Sequence, residues 1–349
     1  MSTANRKVTI YDIARLAGAS PSTVSAALSD SWKSRRISEA RVESIRRIAA
    51  EQGYSTNMQA RGLRQARSGM VGMIIPLHEN RYFAALSQSF EALARERGLV
   101  PVIASSLRDP KEELRIVETL ISYSVDYLFI AGATDPDAIS ALCKASALKH
   151  IFVDLPGGGA PSVISDNYRG AADLTSILLS EMAPDDGTAR SRPYFLGGIA
   201  TNHASGRRIE AFRDVVTGSG RQLDECQIIT CGYAPQNATR EIAALCDRIG
   251  GVPAALFVNS ATAFEGVLGH FVNLPPEDFS HSVIGCYDYD PFAAYLQFPV
   301  HMVRQNSHKL IATAYELIAA DQTEQVVIQI EPELIPPRTI YQGMFRQLG

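Results

Sequence analysis

The apolar positions of this chain change their period near residue 69. Upstream they recur three and four residues apart, the spacing of one helix face. Ile10, Ile13 and Ala14 or Ala17 form a first set, which Gly18 ends. Thr9, with Asp12 three residues on, predicts an N-terminal cap. Ser20-Pro21 restarts a helix, because Ser caps well and Pro at the first helical position needs no N–H partner. Val24, Ala27 and Leu28 give that helix its apolar stripe. Ile37-Ser38 opens a third helix with Val42, Ile45 and Ile48 inward and Gly53 as its C-terminal cap. Two short helices joined by a tight Gly-containing turn and backed by a third describe a helix-turn-helix unit. A plain three-helix bundle has the same spacing.

Downstream of residue 69 strands and helices alternate. MVGMIIP, LVPVIAS, DYLFIAG and HIFVDLP are near-continuous apolar runs, as buried parallel strands are. Amphipathic helices separate them, for example Phe83 to Arg97, ending at Gly98. A second series follows: SVISD, PYFLGGI, the stretch 227–230, AALFVN and SVIGCYD. This alternation predicts an α/β core of two open, doubly wound parallel sheets. Short strands near 299–305 and 325–331 return the chain between two lobes, with crossovers near 165, 290–305 and 321–325. Between head and core, Asn57 can cap a short helix from Met58 to Gln65. Gly62 inside that helix costs about 1 kcal/mol against Ala. Arg61, Arg64 and Arg67 make it basic, so it should form only on a partner. A plain linker would leave the Arg spacing unexplained. The expected domains are 6–56 (head), 57–68 (hinge helix) and 69–349 (core).

Charge sharpens the division. The net charge of -4 hides a head, residues 1–67, with 12 Lys/Arg against 5 Asp/Glu, and a remainder with 21 against 32. A basic head on an acidic body suggests that only the head meets a polyanion; a solvated basic surface would look alike on charge alone. No apolar run is long enough to span a bilayer, and MSTANRKVTI lacks the apolar stretch of a signal peptide. A cytoplasmic, nucleoid-associated protein without membrane contact is expected. The five cysteines are scattered without a CxxC pair, which suits reduced thiols and neither a disulfide frame nor a metal site. No GxxxxGK[ST], nucleophile elbow or HExxH occurs. Gly157-Gly158-Gly159 reads as a flexible loop. An enzyme is not expected, nor a cofactor or metal.

TIYDIARLAGASPSTVSAALS and RISEARVESIRRIAAEQGYSTNMQARGLR resemble the head of the lac/gal repressor family, and the resemblance continues through the core. It implies that Thr9, Tyr11, Ser20, Thr23 and Ser25 hold phosphates with their hydroxyls. It puts Pro21, Ser22 and Ala26 against base edges, where many relatives carry longer polar side chains or Arg. Of these only Ser22 can hydrogen-bond a base, and Ala26 can at most touch a thymine methyl. The loop from Ser29 to Arg36 is longer than the common form and resembles that of the fructose-repressor branch. Lys33, Arg35 and Arg36 there are expected at phosphates or in a groove, unless they are merely solvated. The resemblance also implies that the hinge, with Asn57 and Arg61, folds in the minor groove, where Leu63 of each subunit wedges into a base step.

The core resembles the type I periplasmic-binding-protein fold, in which three crossovers join two lobes around a cleft. Ligands of such sheets bind at the carboxyl ends of strands. Asn80, Tyr82, Phe83, Asp154, Arg208, Asn259, Asp288 and Gln305 fall there. Asp166-Asn167 reads as a helix cap, and Ser260 stands where relatives have Asp. Aromatic rings with carboxylates, amides and one guanidinium suit a polyol. The expected protein is a sequence-specific DNA-binding transcription regulator of carbohydrate genes, a repressor by resemblance. Its effector would be a sugar or sugar derivative, phosphorylated or not. A homodimer should read a pseudo-palindromic operator, since the C-terminal MFRQLG lacks the leucine heptads of tetrameric relatives. An activator or dual regulator is the alternative. A sugar-binding protein without a DNA role would not need the basic head.

Overall fold

The structure, a computed structural model, describes residues 8–54, 67–279 and 281–338. The hinge residues Asn57, Arg61 and Leu63, and the C-terminal MFRQLG, lie outside the described residues. The chain divides into two compact units, Met1–Gly69 and Met70–Gly349.

The head holds α1 (Ile10–Leu16), α2 (Pro21–Leu28) and α3 (Glu39–Glu51). A reciprocal capping box starts α1: Thr9 N–H donates to Asp12 Oδ2 (3.0 Å) and Asp12 N–H to Thr9 Oγ1 (3.4 Å). Gly18, at φ +57°, turns the chain toward α2. Ile13, Val24, Ala27, Val42 and Ile45 form the core. Ile48 is only half-buried, and Ala49 takes the inward place one residue on. The long loop is not loose: Asp30–Trp32 makes one turn of 3-10 helix, and Trp32 packs against the head core.

The second unit has two lobes, each a six-stranded sheet. The first lobe pairs β1 (Met70–Ile75), β2 (Val100–Ser105), β3 (Tyr127–Ala131), β4 (Lys149–Val153), β5 (Ser162–Ser165) and β11 (Val327–Ile330) in the order β11-β5-β4-β3-β1-β2, all parallel. The second pairs β6 (Pro193–Leu196), β7 (Ile228–Ile229), β8 (Ala255–Val258), β9 (Val283–Tyr287), β10 (Val300–Arg304) and β12 (Glu333–Ile335) as β12-β10-β9-β8-β6-β7, with only β12 antiparallel.

Alternate residues of the central strands face different helices, which is why those strands are near-continuously apolar. Met73 and Ile75 pack with α4 (Arg81–Glu96) and α11 (Ser307–Ala319). Ile74 faces the other way, toward α5 (Pro110–Ser122) and α6 (Pro136–Ala145). In the second lobe Phe195 and Phe257 face α7 (Asn167–Glu181) and α8 (His203–Gly218). Leu196 and Val258 face α9 (Pro235–Ile249) and α10 (Ala261–Phe271).

Four details depart from expectation. First, helix α4 begins two residues before Phe83, because the Asn80 side chain caps it. Second, SVISD is β5 of the first sheet, pairing with β4, not the opening of a second series. Third, the triple glycine is a packed connection between those strands: a Cβ on Gly157 would lie 2.2 Å from the Phe152 ring. Fourth, two crossovers shift. The first follows β5 near 165–166. The second falls at 305–306, since β10 still belongs to the second sheet, and the third at 331–332. Residues 321–325 only join α11 to β11 within one lobe. The missed strand, β12, is three residues long between Pro332 and Pro336, too short to show a period.

Helices α9 and α10 meet at Gly266, where a Cβ would fall 2.1 Å from the Pro235 carbonyl oxygen. Gly266→Ala should therefore lower the stability of the core by about 1–3 kcal/mol, the usual cost of overpacking. Denaturant melts of the variant should show this loss; an unchanged midpoint would mean that the helices move apart freely.

Candidate functional site

Two surfaces carry the expected functional residues. On the head, Ser20 Oγ receives the Thr23 N–H (3.1 Å) and lies 2.8 Å from both Ser22 Oγ and Thr23 Oγ1. This gathers three hydroxyls at the N-terminus of α2, the helix end that favours anions. Ser22 is exposed there, and Tyr11 is 71% exposed. Thr9, Pro21, Thr23 and Ser25 are half-buried. Ala26 is different: at 3% exposed its methyl faces protein and is not offered to a base. The expected thymine contact by Ala26 is thereby withdrawn. At the end of α2, Ser29 Oγ donates to the Ala26 carbonyl (3.3 Å). Lys33, Arg35 and Arg36 are exposed. Lys33 Nζ sits 5.4 Å over the Trp32 ring.

In the core, a cleft of about 900 Å³ opens between the lobes. Asn80, Tyr82, Phe83, Asp154, Arg208, Asp288 and Gln305 all line it. Their placement follows from the fold. Asn80 caps α4, accepting from the Tyr82 and Phe83 N–H groups (3.0 and 3.3 Å). Its Nδ2 donates across the cleft to Thr262 Oγ1 (3.2 Å). Asp154 follows β4 and Asp288 follows β9, one in each lobe, and both have left-handed backbones (φ 77° and 90°). Asp tolerates that region better than most residues. Each is pinned by a backbone bond, Asp154 N–H to the Val163 carbonyl (3.1 Å) and Asp288 N–H to the Val303 carbonyl (3.0 Å). Gln305 Nε2 donates to Asp288 Oδ1 (2.6 Å).

Arg208 sits in the second turn of α8 and is 5% exposed. Its Nε donates to Asn167 Oδ1 (2.9 Å), its Nη1 to the Asn259 carbonyl (2.6 Å), and its guanidinium carbon lies 3.6 Å from the centroid of the Tyr287 ring. Asn259 therefore stands behind Arg208 and does not line the cleft, a correction to its expected ligand role. It is fully buried, with Nδ2 donating to Ser205 Oγ (3.2 Å). Sequence reasoning missed three residues. Asn167, read as a cap, orients Arg208; the cap itself is Asp166, which accepts from Arg169 N–H (2.9 Å). Tyr287 supports Arg208 from within a strand, where nothing in the period distinguishes it from core. Tyr233, whose hydroxyl lies 2.8 Å from Ser205 Oγ, lines the cleft from a loop without periodic signal. Ser260 caps α10 through Ala263 N–H (3.2 Å) and lines the cleft as well.

Burial raises the Asp154 carboxyl to about 6, with Arg208 opposing that rise. The Asp288 carboxyl is raised by burial too, again against Arg208. The Tyr82 hydroxyl, buried and beside Asp154, is held well above its usual range without a hydrogen bond of good geometry. Gln305 Oε1 is a buried acceptor with no partner among the described residues. The arrangement offers acceptors (Asp154, Asp288, Gln305) around one rigid donor fork, the pattern that paired hydroxyls satisfy.

A helix-turn-helix head carried on a two-lobed binding core is the architecture of a ligand-gated regulator. Residues 9–57 match the profile of "Bacterial regulatory proteins, lacI family". The ribitol operon repressor of Klebsiella aerogenes is 47% identical over 196 residues, covering 56% of this chain and 73% of that protein. The sucrose operon repressor of Klebsiella pneumoniae is 30% identical over 317 residues, 90% of this chain and 92% of that one. Among solved structures, the lac repressor dimer bound to operator and the anti-inducer ONPF superposes with a TM-score of 0.79 at 18% identity, over 96% of this chain and 99% of that one. The Cra dual regulator of Pseudomonas putida in complex with fructose 1-phosphate gives 0.67 at 24%, over 77% and 98%. The chain belongs to the lacI family of bacterial regulatory proteins, and it is a DNA-binding transcription regulator.

The raised Asp154 carboxyl has a signed consequence. Its folded value, about 6, lies above the ordinary 3.8, so the folded state binds more protons between those limits. This group's contribution to stability is present at low pH and declines as pH rises from about 4 to about 6. At pH 7.5 Asp154→Asn should be more stable than the parent, by roughly 2–3 kcal/mol at most. Melts from pH 4 to 8 should show a flatter profile for the variant. A parent that gains stability through this window from Asp154 would contradict the assignment.

Proposed function

We propose that this chain is a repressor of a sugar or sugar-alcohol operon, working as a cytoplasmic homodimer on a pseudo-palindromic operator, and that its effector is an uncharged polyol bound between the lobes. The observation that carries the effector class is Arg208 flanked by two buried carboxylates, Asp154 and Asp288. Five acidic side chains line the cleft (Glu79, Asp154, Glu265, Asp288, Asp290) against three arginines (Arg81, Arg108, Arg208). Arg81 is already paired with Asp290 (2.9 Å). A phosphate among these carboxylates would face like charge with few donors, whereas hydroxyls can donate to the carboxylates and accept from Arg208. The relative named as a ribitol operon repressor is consistent with such a ligand.

Thermal shift with ribitol, neutral pentoses and hexoses, and their phosphate esters tests the class. A ligand at 100 times its Kd should stabilise the core by about 2.7 kcal/mol. A neutral polyol should do so and its phosphate ester should not. Arg208→Lys should lose the effector response and keep the ligand-free operator affinity, because an ammonium cannot reproduce the planar fork. A variant that responds normally would remove Arg208 from the site.

On the head, burial of Ala26 leaves α2 little to read bases with, so phosphate and groove contacts by the loop carry more of the binding. Replacing both Arg35 and Arg36 by Ala should flatten the salt dependence of operator binding by about 1 for each phosphate that these side chains neutralise in a half-site. An unchanged slope would make these side chains merely solvated.

A further inference from the structure

The loop after β2 carries Arg108 in a constrained backbone. Leu107 and Arg108 are consecutive left-handed residues (φ 54° and 60°), and neither is glycine. Such pairs persist only where the surroundings hold them, and they collect at ligand clamps. Here the loop is pinned to the end of β1: Ser106 N–H donates to the Ile75 carbonyl (3.0 Å) and Leu107 N–H to the Pro76 carbonyl (2.9 Å). A buried carboxylate, Glu113 of α5, braces it from below. Glu113 accepts from Ser106 Oγ (3.4 Å), and it ties in the loop after β3 through Thr134 N–H (3.0 Å) and Thr134 Oγ1 (2.9 Å).

The conformation turns Leu107 outward, 72% exposed, and brings Arg108 into the lining of the cleft. Its guanidinium carbon lies 5.9 Å from the Phe83 ring of its own lobe and 5.2 Å from the Tyr233 ring of the other. Arg81 is paired with Asp290, and Arg208 is bonded to Asn167 and Asn259. Arg108 has no ion pair among the described residues. From Tyr233 polar contacts run inward without a gap. The Tyr233 hydroxyl meets Ser205 Oγ (2.8 Å), Ser205 Oγ accepts from Asn259 Nδ2 (3.2 Å), and the Asn259 carbonyl accepts from Arg208 Nη1 (2.6 Å).

We propose that Arg108 is a latch across one mouth of the effector cleft, lying over Tyr233 of the opposite lobe, with Glu113 as its positioning residue. The latch rests on the reading of the cleft as the effector site. It holds the lobes together at the mouth and slows escape of the bound polyol. The contact at Tyr233 also connects lobe closure to Arg208, the group that grips the ligand. A cation over an aromatic face biases an equilibrium by about two- to thirtyfold, depending on its desolvation.

The test uses the full chain with genetically encoded spin labels at Glu118 on α5 and Arg240 on α9, both exposed and in different lobes. Interlobe distances are measured without ligand in the parent, Arg108→Ala, Arg108→Lys, Tyr233→Leu and the Ala/Leu double variant. The expected result is a longer-distance population in Arg108→Ala and in Tyr233→Leu, no further increase in the double variant, and a smaller change in Arg108→Lys. Glu113→Gln should lengthen the distance only while Tyr233 is present, which a general loss of lobe stability would not do. A circular-dichroism spectrum and a thermal melt of each variant, close to those of the parent, confirm that the protein folds. Unchanged distances in both single variants, or two shifts that add, would overturn the latch. Release of ribitol, measured on the same proteins, should quicken by about two- to thirtyfold in Arg108→Ala. If the parent binds neither ribitol nor any other neutral polyol, the effector reading fails, while the ligand-free distances still decide the latch.

Discussion

The core is organised around one buried guanidinium. Desolvating an arginine is strongly unfavourable unless every face of it is met. Here the second lobe meets it with an amide oxygen, a backbone carbonyl and a tyrosine ring, contributed by α7, the end of β8 and β9. Those groups must arrive together, which constrains the segments that deliver them. Gly170 shows how tightly: a Cβ there would lie 2.7 Å from the Tyr287 hydroxyl and 2.6 Å from Pro332. That glycine lets α7 and the third crossover close on the tyrosine that supports Arg208. Helix start, strand end and crossover are thus fixed by the same requirement.

The two aspartates follow from the arginine and from the fold's internal symmetry. Each stands at the carboxyl end of a central strand, each in a left-handed backbone, each tied to a neighbouring strand by its own N–H. Backbone strain of this kind costs of order 1–3 kcal/mol per residue, and burial of each carboxylate adds to it. Nothing in packing asks for either. The raised carboxyls and the Gln305 oxygen, which has no partner among the described residues, leave polar groups at the cleft surface whose hydrogen-bonding capacity is unfilled by the protein.

Much of this was legible in the sequence because strands buried on both faces read as unbroken apolar runs, and because cap residues announce helix starts. Thr9, Ser20 and Asp166 all cap as their residue types suggest. Residues just past the strand ends identified Asp154, Asp288 and Gln305. What escaped lacks a local signature. Tyr287 looks like core from its strand position, and its role emerges only with Arg208 placed above it. Asn259 follows a strand end like the aspartates, yet its side chain turns inward toward Ser205. Ala26 has the right helical position for a base contact, but it is buried, and its residue type does not announce that. A three-residue edge strand between prolines is too short for any periodicity.

The composition of α2 bears on how a DNA head of this type achieves specificity. Its exposed N-terminus presents short hydroxyls that bond one another within the protein. Short hydroxyls fix register on phosphates, and they discriminate bases weakly compared with a bidentate arginine or amide. Where α2 offers so little direct readout, the sequence-dependent cost of deforming the duplex is the remaining source of discrimination, and cations on an ordered loop would set register at phosphates. The loop here is ordered by its own residues, since Trp32 anchors it to the head core while Lys33, Arg35 and Arg36 stay outside. Anchoring matters because a cation held in place loses less conformational entropy on binding than one on a free loop. The single tryptophan of the chain, half-buried against the head core, thus fixes where these charges stand.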